Sequence, residues 1–242
     1  MKNPSQEADD PRRRILVQAL GVGLLSGISM SGAFGQEPVA VTSPLPKGKS
    51  IYRMSGKVLV NDQPATLDTP IGPDAVIQTP NNGEIIFVSG TQAFLLRGDS
   101  HLVLNDKSEG ATASNVFRLV TGKLLAVFGK GRHKLTTLTA TIGIRGTGVY
   151  TEVDPEQTYF CNCYGRTDVN SNSDPESKEA IISTHHDRPV YVLAGQPAGK
   201  NIRNAPFINH SDPELMLIES LVGRVPTFVF PSDTYTGPRR NY

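Results

Sequence analysis

A chain of 242 residues carrying 24 Lys and Arg against 23 Asp and Glu has room for one or two domains and a sizeable core, and its near-zero charge excludes a composition-driven binder of nucleic acid or polyanions. Its 23 Gly and 18 Pro make it turn-rich without the excess that marks disorder, and two cysteines exclude a disulfide scaffold. Residues 1–35 then read as an export signal: a polar start ending in Arg12, Arg13 and Arg14, a short Gly/Ser-diluted apolar run to about Met30, and a small-residue site at Ala33-Phe34-Gly35. The arginine pair ahead of a modest apolar run resembles a twin-arginine signal. Cleavage after Gly35 leaves a formally neutral, periplasmic remainder with no stable transmembrane segment. An uncleaved anchor is the lesser alternative, because the run falls short of the ~20 clean apolar residues that a span needs. Residues 36–55 are expected to be an extended N-terminal segment.

From residue 51 to 193, short apolar runs recur at intervals of roughly ten residues, bounded by Gly, Asn, Asp or Pro. They cover 58–60, 84–88, 93–97, 101–104, 116–120, 123–128, 135–138, 149–153, 158–164, 180–184 and 190–193. Many alternate apolar with polar residues. The expected fold is therefore all-β and antiparallel, built of many short strands as a sandwich, barrel or solenoid. Turns at Gly98-Asp99, Thr121-Gly122 and Gly129-Lys130-Gly131 are expected to close hairpins.

Within this region Phe94-Leu95-Leu96-Arg97-Gly98-Asp99, Phe117-Arg118-Leu119-Val120-Thr121-Gly122-Lys123-Leu124 and, most specifically, Thr137-Leu138-Thr139-Ala140-Thr141-Ile142-Gly143-Ile144-Arg145-Gly146-Thr147-Gly148-Val149 stand in an order that resembles the FecR domain family. The resemblance runs from about Gly56 to Leu193, and Gly165 falls where that family has a further turn. It implies a periplasmic β domain over residues 56–194, with a binding or sensing role toward an envelope protein or ligand. Only 14 residues precede the apolar run, too few for a cytoplasmic anti-sigma segment, so a free-standing exported domain is expected. Gly143 and Gly146 read as a bend between strands. Arg145, Gly146 and Thr147 read as architecture, with Arg145 bracing neighbouring carbonyls or carboxylates.

Chemistry concentrates further along. Cys161-Asn162-Cys163 lies in a strand, so both sulfurs share a face, and a disulfide between them is awkward in extended backbone. His185 and His186 follow the next strand, and His210 is a third imidazole. Strand pairing across the 170–178 loop would make a Cys₂His or Cys₂His₂ site from Cys161, Cys163, His185 and His186, suited to Zn, Cu or Fe. A buried structural pair and a strained redox bridge are the alternatives. No hydrolase, P-loop or dinucleotide signature is present, which favours a non-enzymatic role. In the C-terminal extension, 195–242, Ser211-Asp212-Pro213-Glu214 is a capping box. It starts a helix over about 212–222 whose Leu215, Ile218, Leu221 and Val222 form an apolar stripe, with Gly223 placed to end it.

Overall fold

The computed structural model describes residues 43–105 and 115–228. The expected export signal over residues 1–35 therefore lies outside the described residues, as does the tail after residue 228. Among the described residues, fifteen strands and one helix follow in order. They are β1 (Ile51–Ser55), β2 (Leu59–Val60), β3 (Gln63–Pro64), β4 (Val76–Gln78), β5 (Glu84–Ser89), β6 (Gln92–Leu96), β7 (His101–Val103) and β8 (Val116–Val127). Then come β9 (His133–Thr136), β10 (Ala140–Ile144), β11 (Gly148–Val153), β12 (Gln157–Ser171), β13 (Lys178–Ser183), β14 (Val190–Leu193), β15 (Ile202–Asn204) and α1 (Asp212–Leu221). The fold is all-β with one C-terminal helix. No helix among the described residues is long and apolar enough to cross a membrane.

Two sheets share two long strands. One runs β1-β5-β6-β8-β11-β12-β14-β15 and the other β3-β2-β4-β7-β8-β9-β10-β12-β13. Because β8 and β12 belong to both, β8, β11, β12, β10 and β9 close into a ring. The architecture is thus barrel-like rather than a solenoid.

The sharing depends on two glycines. Gly122 divides β8 into a half that pairs with β7 and β9 and a half that pairs with β6 and β11. Gly165 divides β12 in the same way. Their φ values are +89° and +86°, a region open to glycine and strained for other residues. The expected hairpin at Thr121-Gly122 is therefore corrected to a bend inside one continuous strand. The other two expected hairpins are also replaced. Gly98-Asp99 carries the chain from β6 in one sheet to β7 in the other. Gly129-Lys130-Gly131 returns it to β9, which lies parallel to β8, the exception to an otherwise antiparallel pattern. β8 curves round the barrel, so the chain leaving its end comes back beside its beginning.

The main core fills the space between the sheets, where Phe87 stacks on Phe94 with centroids 4.9 Å apart and Phe117 and Phe128 pack edge-on at 5.2 Å. A second core covers the outer face of the first sheet. There Leu95, Leu125, Val127 and Tyr150 meet Leu215, Ile218 and Leu221 of α1. Each of these aliphatic side chains contributes about 1.5–3 kcal/mol through burial. Burial on both faces explains why β6, Gln-Ala-Phe-Leu-Leu, carries no exposed residue and lacks the alternation of a one-sided strand.

The helix starts where the capping box places it. The Ser211 N–H donates to Glu214 Oε2 at 2.9 Å, and Gly223 follows the end with φ +70°. Arg97 pairs with Glu214 at 2.6 Å at the N-terminal end. At the other end, buried Glu219 accepts from Tyr164 Oη and from Arg224 Nε, while Arg224 also donates to the Thr91 carbonyl at 2.7 Å. Both ends of α1 are tied to the sheet beneath it.

Candidate metal centre

Cys161 and Cys163 stand on the outer face of the first sheet, in the second core, and both are free and fully buried. Opposite them β11 pairs Gly148 with Tyr164 and Val149 with Asn162, which leaves Cys163 as the extra residue of a β-bulge. A bulge re-aims the side chain it carries and increases the local twist. The chain then crosses to the other sheet, returns as β13, and enters the turn at residues 183–187. Asp187 fixes that turn by accepting from Thr184 N–H at 2.6 Å and Thr184 Oγ1 at 2.9 Å. The His186 N–H donates to the Cys163 carbonyl at 2.9 Å, which docks the turn on β12.

His186 has φ +54°. Adjacent residues of an extended chain point to opposite sides, so this left-handed kink is what lets His185 and His186 face the same way. His210 comes from the segment leading into α1. Its ring stacks on Tyr150 with centroids 4.4 Å apart and planes 19° apart, and Phe207 packs at 4.6 Å against His186 and 4.5 Å against His210.

The ligand atoms of Cys161, Cys163, His186 and His210 all lie within 4.8 Å of one another. Cys161 Sγ is 3.5 Å from His186 Nδ1, Cys163 Sγ is 3.6 Å from His210 Nε2, and the two ring nitrogens are 3.1 Å apart. Zn–S bonds of about 2.3 Å and Zn–N bonds of about 2.0–2.1 Å in a tetrahedron give edges of about 3.6 Å for S···N and about 3.4 Å for N···N. The observed edges agree with these to within a few tenths of an ångström.

Outer partners fix the tautomers. His210 Nδ1–H donates to the Ile208 carbonyl at 2.7 Å, and His186 Nε2–H donates to Asp212 Oδ1 at 3.1 Å. The remaining nitrogens, His210 Nε2 and His186 Nδ1, then face the centre of the tetrad, the arrangement by which carboxylates and carbonyls orient metal-bound imidazoles. His185 does not join the four. Its Nε2 lies 2.9 Å from Asp212 Oδ1 and 3.0 Å from Oδ2, on the solvent side.

The charges of the cluster follow its geometry. A hydrogen bond from the Cys163 thiol, joined by those from His186 and His210, holds the Cys161 thiol well below its ordinary range against the opposing effect of burial. Burial pushes the Cys163 thiol up. Burial alone would lower His186, but hydrogen bonds to Asp212 and Cys161 outweigh it and raise the ring to about 9. Burial likewise pushes the Asp212 carboxyl up, yet the hydrogen bonds from His186 and His185 bring it down to about 2. A thiolate and a carboxylate thus flank one imidazolium, a setting in which a divalent cation replaces protons.

Sequence reasoning places three of these four side chains and names His210 only as a further imidazole. Asp212 is read as a helix-capping residue alone. The available signal is a histidine immediately before the helix cap and an acid immediately after it, 47 and 49 positions beyond Cys163 in the chain. Elsewhere, Arg145 pairs with Asp168 at 3.2 Å, Gly146 makes the turn between β10 and β11 with φ +66°, and Thr147 is buried beneath Gly165. That motif braces strands.

No protein-family model matches the chain, and no curated protein matches it. Among solved structures it is similar to two crystal structures of a protein from Parabacteroides distasonis that is provisionally described as an anti-sigma factor. Both are 11% identical to it, at TM-scores of 0.41 and 0.42. Each alignment covers 54% of this chain and 58% of that one, so the chain spans little more than half the length of these relatives. The resemblance of residues 56–193 to FecR domains rests on its sequence motifs.

Proposed function

We propose that this is an exported, FecR-like β domain with a non-enzymatic binding or sensing role at the cell envelope, and that it binds one soft or borderline transition metal ion through Cys161, Cys163, His186 and His210. The observation that carries the metal reading is the convergence of four buried ligand atoms whose spacing suits one tetrahedral ion. Two thiolates and two imidazoles favour Zn²⁺, with Cu⁺ and Fe²⁺ as competitors. Four protein ligands complete the tetrahedron and leave no open position for a substrate, which supports a structural or sensory role for the ion. Full burial of both sulfurs keeps them from bulk oxidants, which favours ligation over thiol–disulfide exchange. The export half of the proposal rests on the sequence of residues 1–35.

The test is anaerobic titration of the reduced protein with Co²⁺, followed by competition with Zn²⁺. The expected result is one ion per chain with a thiolate-to-cobalt charge-transfer band. His210→Ala and Cys163→Ser should each weaken binding by about a hundredfold or more, at or beyond the upper end of what outer partners contribute. A protein that develops no such band overturns the metal reading, as does one whose affinity ignores both substitutions.

A further inference from the structure

The tetrad is sealed, yet one of its ligands has a second face. His186 Nδ1 looks inward at Cys161 and His210, while its Nε2 looks outward at Asp212, where His185 Nε2 also arrives. His185 Nε2, His186 Nε2 and an Asp212 oxygen lie within 4.8 Å of one another and form a ligand set of their own. The His185 and Asp212 side chains are 35% and 40% exposed, whereas that of His186 is 5% exposed. The φ of +54° at His186 is the strained feature that turns two consecutive imidazoles toward one carboxylate.

We propose that His185 and Asp212, with the outer nitrogen of His186, form a solvent-facing capture station for a divalent transition metal ion, through which the ion enters and leaves the buried tetrad. This inference rests on the metal reading given above. Two imidazoles and a carboxylate on one face suit such ions and leave coordination positions open to water, as a transit site requires. The His186 ring serves one station at a time. With an ion outside, Nε2 offers its lone pair to the metal and Nδ1 keeps its proton toward the Cys161 thiolate. With the ion inside, Nδ1 is the ligand and Nε2–H donates to Asp212. Inward passage therefore removes one proton from Nδ1 and adds one at Nε2, so the ring stays neutral. The Cys163 thiol proton is released to water as that sulfur becomes a ligand. No electron is transferred.

The experiment is stopped-flow mixing of reduced full-length protein with Co²⁺, and of the cobalt form with a strong chelator, in wild type and His185→Ala. His185 supplies no ligand to the tetrad, and beyond the outer station its ring packs only on Phe228, with centroids 4.5 Å apart, so the variant keeps the tetrad. The expected result is saturation at one ion per chain, an unchanged thiolate band and an unchanged Kd. Uptake and release should both be slower by about tenfold, equivalent to about 1.4 kcal/mol on the shared barrier. Identical rates in the two proteins would overturn the capture station, and so would a Kd weakened through faster release alone. Binding of two ions per chain would overturn the alternation at His186. Absence of the thiolate band in the wild type is a separate outcome, and it removes the metal reading itself.

Discussion

His133 Nε2 lies 3.1 Å from the Gly129 carbonyl, and its ring packs against Phe128 with centroids 5.3 Å apart. Burial lowers the pKa of this imidazole from its ordinary 6.5, and the nearby Arg224 guanidinium lowers it further, with the Gly129 hydrogen bond opposing them in part. Its folded-state value is thus below its unfolded one, so the unfolded chain binds the proton more readily. The stability that neutral His133 contributes is fully present above about pH 6.5 and declines as pH falls through the window below it. Chemical denaturation of the metal-free protein at a series of pH values should show wild type losing stability on acidification. His133→Gln should lose less, and parallel curves would exclude this assignment. The same scale decides what a reader of the sequence can see at the tetrad. Cys161 and Cys163 are legible because strand periodicity puts alternate residues on one face. The division of labour between His185 and His186 is not, because a positive φ at a non-glycine residue leaves no mark in the sequence.

At the scale of elements, Gly122 and Gly165 matter most. A Cβ at Gly122 would stand 2.4 Å from Ser100 Cα and 2.0 Å from Ser100 Oγ, and the first of these is backbone that cannot rotate away. Gly122→Ala therefore combines left-handed strain of about 1–2 kcal/mol with overpacking of about 1–3 kcal/mol. An expected loss of roughly 2–5 kcal/mol follows, readable in urea denaturation, and a neutral substitution would mean that β8 does not bend there. Strand positions were largely legible from apolar runs and turn residues, including β14 at its observed bounds. The continuity of β8 was not, because glycine between two apolar runs has the appearance of a hairpin turn. Short β3, β4 and β15 escaped for another reason: two or three residues make too small a pattern to separate from loop. The helix was the most legible element, since its cap, its stripe and its terminating glycine all agree.

At the scale of the whole molecule, the proposed ion joins three pieces distant in sequence: β12, the turn after β13 and the segment entering α1. An ion held at a thousand times its Kd would stabilise the native state by about 4 kcal/mol, which for a chain of this size corresponds to roughly 10 °C in Tm. Addition of a strong chelator should lower the Tm of the zinc-loaded protein by about that amount and leave Cys163→Ser unmoved. Equal shifts in both proteins would mean that the stabilising ion sits elsewhere. The all-β class was legible from the spacing of the apolar runs. Ring closure was not, because it depends on which distant strands meet.

The two strands common to both sheets also set a timetable for synthesis. Neither sheet can be completed before residue 171 has emerged, since β12 supplies neighbours to β10, β11, β13 and β14. The thiols of Cys161 and Cys163 arrive with that strand, His186 follows, and His210 comes last, with the helix that covers them. A nascent chain therefore displays paired thiols with at most one imidazole ligand until His210, 47 positions beyond Cys163, has been made. Reducing conditions would protect the pair through that interval, and loading of the proposed ion belongs to the finished barrel.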